Sequence, residues 1–159
     1  MAKSGTSKKI KIRKKTLPDK IPKRYFVITD CIFNQQIHIL LNHTPKQYEQ
    51  WLNRKKVKDI AEKNYGDFAG FTSSLENEKG RTEWIIFVAD FQWTIKNMGT
   101  LIHEITHAII RIWQHNNIPY NADTQEFLAH SISNLYEDIA RKLLVFVKWS
   151  RFVNRASAK

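Results

Sequence analysis

Cysteine is almost absent from this chain. Its 159 residues include one cysteine, Cys31, so no disulfide can form within the chain and no cysteine cluster is available to bind zinc. This cysteine usage is typical of proteins in a reducing cytosol, and we therefore expect a cytoplasmic protein.

Long apolar segments are also missing. The longest strongly apolar stretch, Trp84–Ala89, is far shorter than the roughly 20 residues that a membrane-spanning helix requires. The basic N-terminus is not followed by an apolar segment, so the sequence does not predict a cleaved secretion signal. With 42% hydrophobic residues and no internal repeats, the sequence predicts one soluble globular domain preceded by a tail.

Acidic residues are scarce at the N-terminus. Residues 1–24 carry ten lysines or arginines and a single acid, Asp19, and they supply most of the formal net charge of +11. We therefore divide the chain into a flexible basic arm, residues 1–22, and a folded domain, residues 23–155. The arm is expected to bind a nucleic-acid backbone or an acidic partner, with a solubilising tail as the alternative. Its candidate binding residues are Lys8, Lys9, Lys11, Arg13, Lys14 and Lys15.

Hydrophobic periodicity predicts strands, a helix, more strands and two final helices. The first helix is expected to begin at Thr44, a good N-cap, and to bury Tyr48, Trp51 and Leu52. The predicted segments are, in order, a hairpin of Arg24–Phe33 and Gln36–Leu41 around Asn34, a helix over Pro45–Val57, strands over Gly66–Ser73 and Glu83–Phe91 around the polar turn Glu76–Arg81, and helices over Thr94–Trp113 and from Asp123 onward.

Residues 103–107 read His-Glu-Ile-Thr-His within the helical run Thr94–Trp113. Residues four apart lie one turn above each other on a helix, so His103 and His107 can point ring nitrogens at one metal ion. Glu104 lies beside that ion, where a carboxylate can take a proton from a water molecule. The apolar residues crowd the opposite side of the helix: Met98, Leu101, Ile102, Ile105, Ile109 and Ile112. This pattern predicts zinc-assisted hydrolysis, with two ordinary histidines on a half-buried helix as the alternative.

A catalytic zinc ion needs a third protein ligand, and Glu126 follows His107 after eighteen residues. The alternative for Glu126 is a capping box with Asp123 at the start of the last helix. Glu126 also opens a polar stripe that recurs at helical spacing, beside an apolar stripe on the same helix. The polar stripe consists of Glu126, His130, Ser133 and Glu137, and the apolar stripe of Phe127, Leu128, Ile132, Leu135 and Ile139.

Weaker candidates lie nearby. His130 is an alternative third ligand, or a hydrogen-bond donor to a ligand carboxylate or to an oxyanion. Tyr120 and Tyr136 are candidate donors to a tetrahedral intermediate, although a tyrosine near an apolar run is more often half-buried in the core. The remaining histidines are interpreted as structural or surface residues: His38, His43 and His115.

The motif with Glu126 resembles the gluzincin pattern of zinc peptidases, in the spacing typical of the aminopeptidase branch. The metzincin pattern does not fit, because it requires a glycine and a third histidine where this chain has Ile110 and Trp113. The resemblance covers about residues 84–140 and is to a small single-domain gluzincin of the kind that phages and bacteria encode. It implies an α+β zincin-like domain, with a small mixed sheet packed on the motif helix and on a second ligand-bearing helix. It also implies one zinc ion, the ligands His103, His107 and Glu126, and Glu104 as general base.

The activity implied by this resemblance is hydrolysis of peptide bonds, in the cytoplasm of the cell or of a phage host. An edge strand of the sheet would bind the peptide substrate as an added strand, and Glu83–Asp90 is the candidate. His130 departs from thermolysin-like gluzincins, which have an aspartate one turn after the ligand glutamate. Two alternatives remain: a non-catalytic zincin-fold protein with a structural zinc, for example a phage structural or DNA-associated component, and a nucleic-acid-binding protein in which the motif is incidental.

Deleting residues 1–20 should weaken nucleic-acid binding and leave the metal content unchanged, because the arm carries most of the excess positive charge while the domain carries the candidate ligands. The measurement is the affinity for nucleic acid over a series of salt concentrations, with metal analysis of both proteins. Equal affinity with and without the arm at low salt would contradict this prediction.

Overall fold

Strands and helices combine in an α+β fold. The computed structural model describes residues 23–30, 32–59 and 69–156, with side chains up to residue 145. The basic arm, Cys31 and the predicted strand start at Gly66 lie outside the described residues. The described elements are β1 (Arg24–Thr29), β2 (Gln36–Leu41), α1 (Pro45–Lys55), β3 (Val57–Asp59), β4 (Gly70–Asn77), β5 (Thr82–Val88), α2 (Ile95–His115) and α3 (Gln125–Ala156).

The five described strands form one mixed sheet in the order β1-β2-β5-β4-β3. Neighbouring strands are antiparallel except for β2 and β5, which are parallel. β5 is paired with β2 and β4 on both sides over Trp84–Val88. The prediction that Glu83–Asp90 forms a peptide-binding edge is therefore wrong. In the described part of the chain, β4 has a strand on its outer side only at Leu75–Asn77, where β3 pairs with it.

Both faces of the sheet are covered by helices. Alternate side chains of β5 point to opposite faces: Trp84, Ile86 and Val88 belong to the apolar cluster with α2 and α3. Ile85 and Phe87 belong to the cluster with α1. A strand that is buried on both faces is apolar without interruption, which explains the apolar stretch in this part of the sequence.

The first helix begins as its sequence predicts. Thr44 is the N-cap, its hydroxyl accepts from the backbone N–H of Gln47, and the Gln47 side chain accepts from the N–H of Thr44 in return. The predicted apolar side is confirmed, since the buried residues are Tyr48, Trp51 and Leu52. The predicted end at Val57 is wrong. The chain turns at Lys56, which has a left-handed φ of 55°, and Val57 starts β3, a strand that the sequence analysis did not predict.

The four predicted strands occur in the predicted order, with β3 in addition, and their ends agree less well: β1 ends at Thr29 rather than at Phe33. The hairpin of β1 and β2 around Asn34, whose φ is 53°, is confirmed. β4 ends four residues later than predicted, because the turn is formed after Asn77 rather than at Glu76. The Asn77 carbonyl accepts from the N–H of Gly80, whose φ is 68°, and its side-chain oxygen accepts from the N–H groups of Lys79 and Arg81.

The last two helices bury one side each. Thr94, the first residue of the predicted helix, is the N-cap of α2. Its apolar side packs on the sheet as expected, except that Ile102 is 43% exposed. On α3 the two predicted stripes differ in burial. Leu128, Leu135 and Ile139 of the apolar stripe are buried, whereas the residues of the polar stripe are exposed to solvent. Among the described helices, none has the length and the apolar character needed to cross a membrane.

α2 approaches β4 closely at Gly70. A Cβ atom on this residue would lie 3.0 Å from the carbonyl oxygen of Phe87, 3.1 Å from Cγ of Glu104 and 3.2 Å from Cγ2 of Thr100. These separations are tighter than ordinary packing contacts, so the neighbouring atoms would have to shift by a few tenths of an ångström to admit a side chain here. The absence of a side chain at Gly70 therefore leaves room for the close approach of α2 to β4.

Replacing Gly70 by Ala should lower the free energy of unfolding by about 1–3 kcal/mol, because the added methyl group overpacks this contact. The matched control is Gly99→Ala. Gly99 lies in α2, where a Cβ atom would have nothing within 4 Å, and Ala there should raise the free energy of unfolding by up to about 1 kcal/mol. Urea unfolding of both variants measures the two effects. Equal stability of Gly70→Ala and the wild type would show that the contact is not tight.

Candidate metal centre

The histidine pair forms as the motif predicts. His103 and His107 lie one turn apart on the exposed side of α2, and their Nε2 atoms are 3.0 Å apart. The two rings are nearly perpendicular, with centroids 4.5 Å apart. In the described part of the chain, neither ring has another hydrogen-bond partner. Two imidazole nitrogens are therefore held together by the helix itself, and both histidines are exposed to solvent.

The separation of the two nitrogens suits a shared metal ion. Two histidine nitrogens that each lie 2.0–2.1 Å from one tetrahedral zinc are about 3.3 Å apart. The observed 3.0 Å lies within a few tenths of an ångström of that distance. The distance between the two nitrogens is consequently close to that of two histidine ligands on one zinc ion.

Glu104 points in a different direction from the histidines. It is only 5% exposed, and the hydroxyl of Thr72 on β4 lies 2.9 Å from its Oε2 atom and 2.8 Å from its backbone carbonyl oxygen. In the described residues the second carboxylate oxygen, Oε1, has no hydrogen-bond partner. A carboxylate with one oxygen held and one oxygen available is positioned, rather than free to rotate.

A second contact fastens α2 to the same residue of β4. Nη1 of Arg111, which lies one turn beyond His107, donates a hydrogen bond to the backbone carbonyl of Thr72. Thr72 thus binds Glu104 through its side chain and Arg111 through its backbone. Sequence reasoning missed Gly70, Thr72 and Arg111, because no local pattern marks them and Thr72 is 32 residues away from Glu104.

Glu126 and His130 lie together in the first turns of α3. Oε1 of Glu126 is 3.3 Å from Nε2 of His130, and the Glu126 side chain is 86% exposed. The alternative capping box is absent among the described residues, because the Asn121 side chain accepts from the N–H groups of Asp123 and Thr124 instead. Glu126 therefore does not cap the helix, and its contact is with His130, the other candidate for the third ligand.

A third metal ligand is not assembled. Over residues 23–30, 32–59 and 69–145, no three His, Cys, Asp or Glu side chains converge as a metal site would require. The structure thus brings His103 and His107 together, and separately brings Glu126 and His130 together. His103 and His107 could therefore provide two zinc ligands, whereas no described side chain lies in position to be the third.

The remaining candidates lie in different surroundings. Tyr120 is 69% exposed, while Tyr136 packs against the apolar cluster of α2 and α3. His43 is half-buried, and its Nδ1 atom is 2.9 Å from the carbonyl oxygen of Leu41. Burial lowers the pKa of His43, against the opposing effect of that contact, so this residue is a neutral structural histidine near pH 7. His115 is exposed, with its ring edge-on to Trp84.

Comparison with known proteins identifies no relative for this chain. Protein-family models, curated proteins and solved structures were all searched, and none matches it.

Replacing His107 by Ala should abolish stoichiometric zinc binding, because only one nitrogen of the pair remains. The matched control is His115→Ala, which removes an exposed histidine two turns further along the same helix. Metal analysis of the purified proteins is the measurement, and about one zinc ion per chain is expected in the wild type and the control. Full zinc occupancy in the His107 variant would rule out this site.

Proposed function

We propose that this chain is a zinc-dependent peptidase in which His103 and His107 are two of the zinc ligands. The observation that carries the proposal is the 3.0 Å separation of their exposed Nε2 atoms, one turn apart around a buried glutamate. The resemblance of this motif to gluzincins supports peptide bonds as the substrate. In such a site zinc polarises the substrate carbonyl and lowers the pKa of a bound water to about 7.

Glu104 is the general base of this proposal. It takes a proton from the attacking water and returns it to the leaving amine. Thr72 supports this role, because its hydroxyl holds Oε2 and leaves Oε1 for the water. Arg111 and Gly70 act indirectly, since they keep α2 at the distance from β4 at which that hydrogen bond forms.

For the third ligand we propose Glu126, with His130 as the alternative. The spacing of eighteen residues after His107 supports Glu126. Both side chains are exposed, and an exposed i,i+4 pair of this kind contributes little to stability, so either one can be given up to a metal. Metal analysis of Glu126→Ala and His130→Ala distinguishes the two candidates, because zinc occupancy should fall only in the variant that lacks the third ligand.

A second candidate function is a zinc-binding scaffold without catalysis. The burial of Glu104 favours it, because a carboxylate that accepts hydrogen bonds between a helix and a strand can serve stability alone. In this alternative the ion is structural, and removal of the Glu104 charge changes nothing but stability.

Glu104→Gln should separate the two functions. A glutamine retains an oxygen that accepts from Thr72, so the fold and the histidine pair are kept while the base is removed. A peptidase should lose about 10²–10⁴-fold of its activity. The measurement is digestion of a broad peptide library at matched zinc content, with chelated protein as the blank.

The matched control for this experiment is Glu137→Gln. Glu137 is an exposed carboxylate of α3 that pairs with Arg141, so the same chemical change is made away from the histidines. Its activity should equal that of the wild type. If the zinc-loaded wild type cleaves nothing in the library, or if cleavage survives in Glu104→Gln, the scaffold is the better explanation.

A further inference from the structure

A polar cavity lies at the other end of the sheet from the histidine pair. Its volume is about 560 Å³, and it is formed where β1, β4 and α1 end and where β2 and β5 begin. Asn77 of β4 lies in its wall, five residues and about 17 Å along the strand from Thr72. The cavity is therefore separate from the candidate metal centre.

Glu83 lines one side of this cavity, and two neighbouring side chains hold its carboxylate in place. Oε2 of Glu83 lies 2.6 Å from Nε2 of His38, and Oε1 accepts from the Asn77 side chain at 2.8 Å. A carboxylate only accepts, so Nε2 of His38 carries the hydrogen, and Nδ1 accepts from the hydroxyl of Tyr25 at 3.1 Å. His38 is buried while Glu83 reaches the cavity.

The charges of this pair follow from its surroundings. Burial lowers the pKa of His38, against the opposing effects of its hydrogen bond to Glu83 and of the Glu83 charge. Burial acts to raise the pKa of Glu83, but hydrogen bonds from His38 and Asn77, together with the Lys55 charge, leave that pKa below its ordinary value. Near pH 7 the pair is a neutral histidine and an ionised glutamate.

The wall leaves positive charge available to a ligand. It contains three cations, Lys55, Lys79 and Arg81, against two carboxylates, Glu78 and Glu83. Neither carboxylate neutralises Lys79 or Arg81, because Glu78 pairs with Lys56 outside the wall and the charge of Glu83 interacts with that of Lys55. In the described residues the Lys79 and Arg81 side chains form no ion pair. An anion that enters the cavity would therefore meet cations without displacing a salt bridge.

The wall also restricts the kind of anion. Every described residue that lines it is polar or charged, and all six uncharged ones are amides or threonines, which suit hydroxyl groups. Among the described residues that line it there is no aromatic ring on which a nucleobase could stack. A volume of this size accommodates a small molecule.

We propose that this cavity binds a small phosphorylated, hydroxyl-rich molecule of the sugar-phosphate class. Lys79 and Arg81 bind the phosphate, for which arginine offers two parallel donors. Glu83 and the amides of Asn34 and Gln36 bind the hydroxyl groups, and the hydrogen bonds from His38 and Asn77 hold Glu83 in place before the ligand arrives. This site is independent of the proposed peptidase function.

The test is calorimetric titration of the full chain with glucose 6-phosphate, and with inorganic phosphate and glucose as separate arms. The variant is Lys79→Gln with Arg81→Gln, which leaves the backbone hydrogen bonds of the turn to Asn77 intact. The control is Lys46→Gln with Lys96→Gln, two exposed lysines outside the cavity wall that give the same change in net charge.

Glucose 6-phosphate should bind more tightly than phosphate or glucose alone, and the cavity variant should lose at least about tenfold in affinity while the control changes little. Three results would overturn the proposal: no binding of glucose 6-phosphate, equal losses in both double variants, or binding of phosphate as tight as that of the sugar phosphate. Thermal unfolding of each variant verifies that a loss of affinity is not a loss of fold.

Discussion

The close contact between α2 and β4 governs the geometry of the candidate metal centre. Gly70 lets the helix approach the strand, and the Thr72 hydroxyl then reaches Glu104. Because Glu104 faces the sheet, His103 and His107 lie on another side of the helix. Viewed along the helix axis, His103 is rotated by about 100° from Glu104 and His107 by about 60° in the same direction. The exposure of the nitrogen pair thus follows from the burial of the Glu104 carboxylate on another side of the helix.

A sheet covered on both faces keeps two polar sites apart. Strand alternation places Thr72 on the side of α2, whereas Glu83 and His38 lie on the side of α1, where Trp51 packs edge-on against His38. The apolar layers of β5 run between the two sides. The proposed peptidase centre and the proposed anion site can therefore be altered separately, and the experiments on each need not disturb the other.

The positions of the histidine pair and of the proposed third ligand depend on different features of the fold. A pair of histidines four residues apart needs only one helix, so the motif brings both nitrogens together once α2 forms. Glu126 belongs to another helix, and its position relative to the pair depends on how α2 and α3 pack and on the rotamer of an exposed side chain. That is why the sequence names a candidate third ligand and the structure does not bring it to the other two.

What the sequence determined by itself is local. Thr44 and Gln47 start α1, Asn34 marks the hairpin, and the spacing within residues 103–107 makes the histidine pair, because each depends on neighbours within about one helical turn. Tertiary structure alone decided that β5 is central rather than an edge, that Thr72 holds Glu104 across 32 residues, and that His38 meets Glu83 across 45. Such pairings depend on the order of strands in the sheet and on helix packing, which no local pattern of residues specifies.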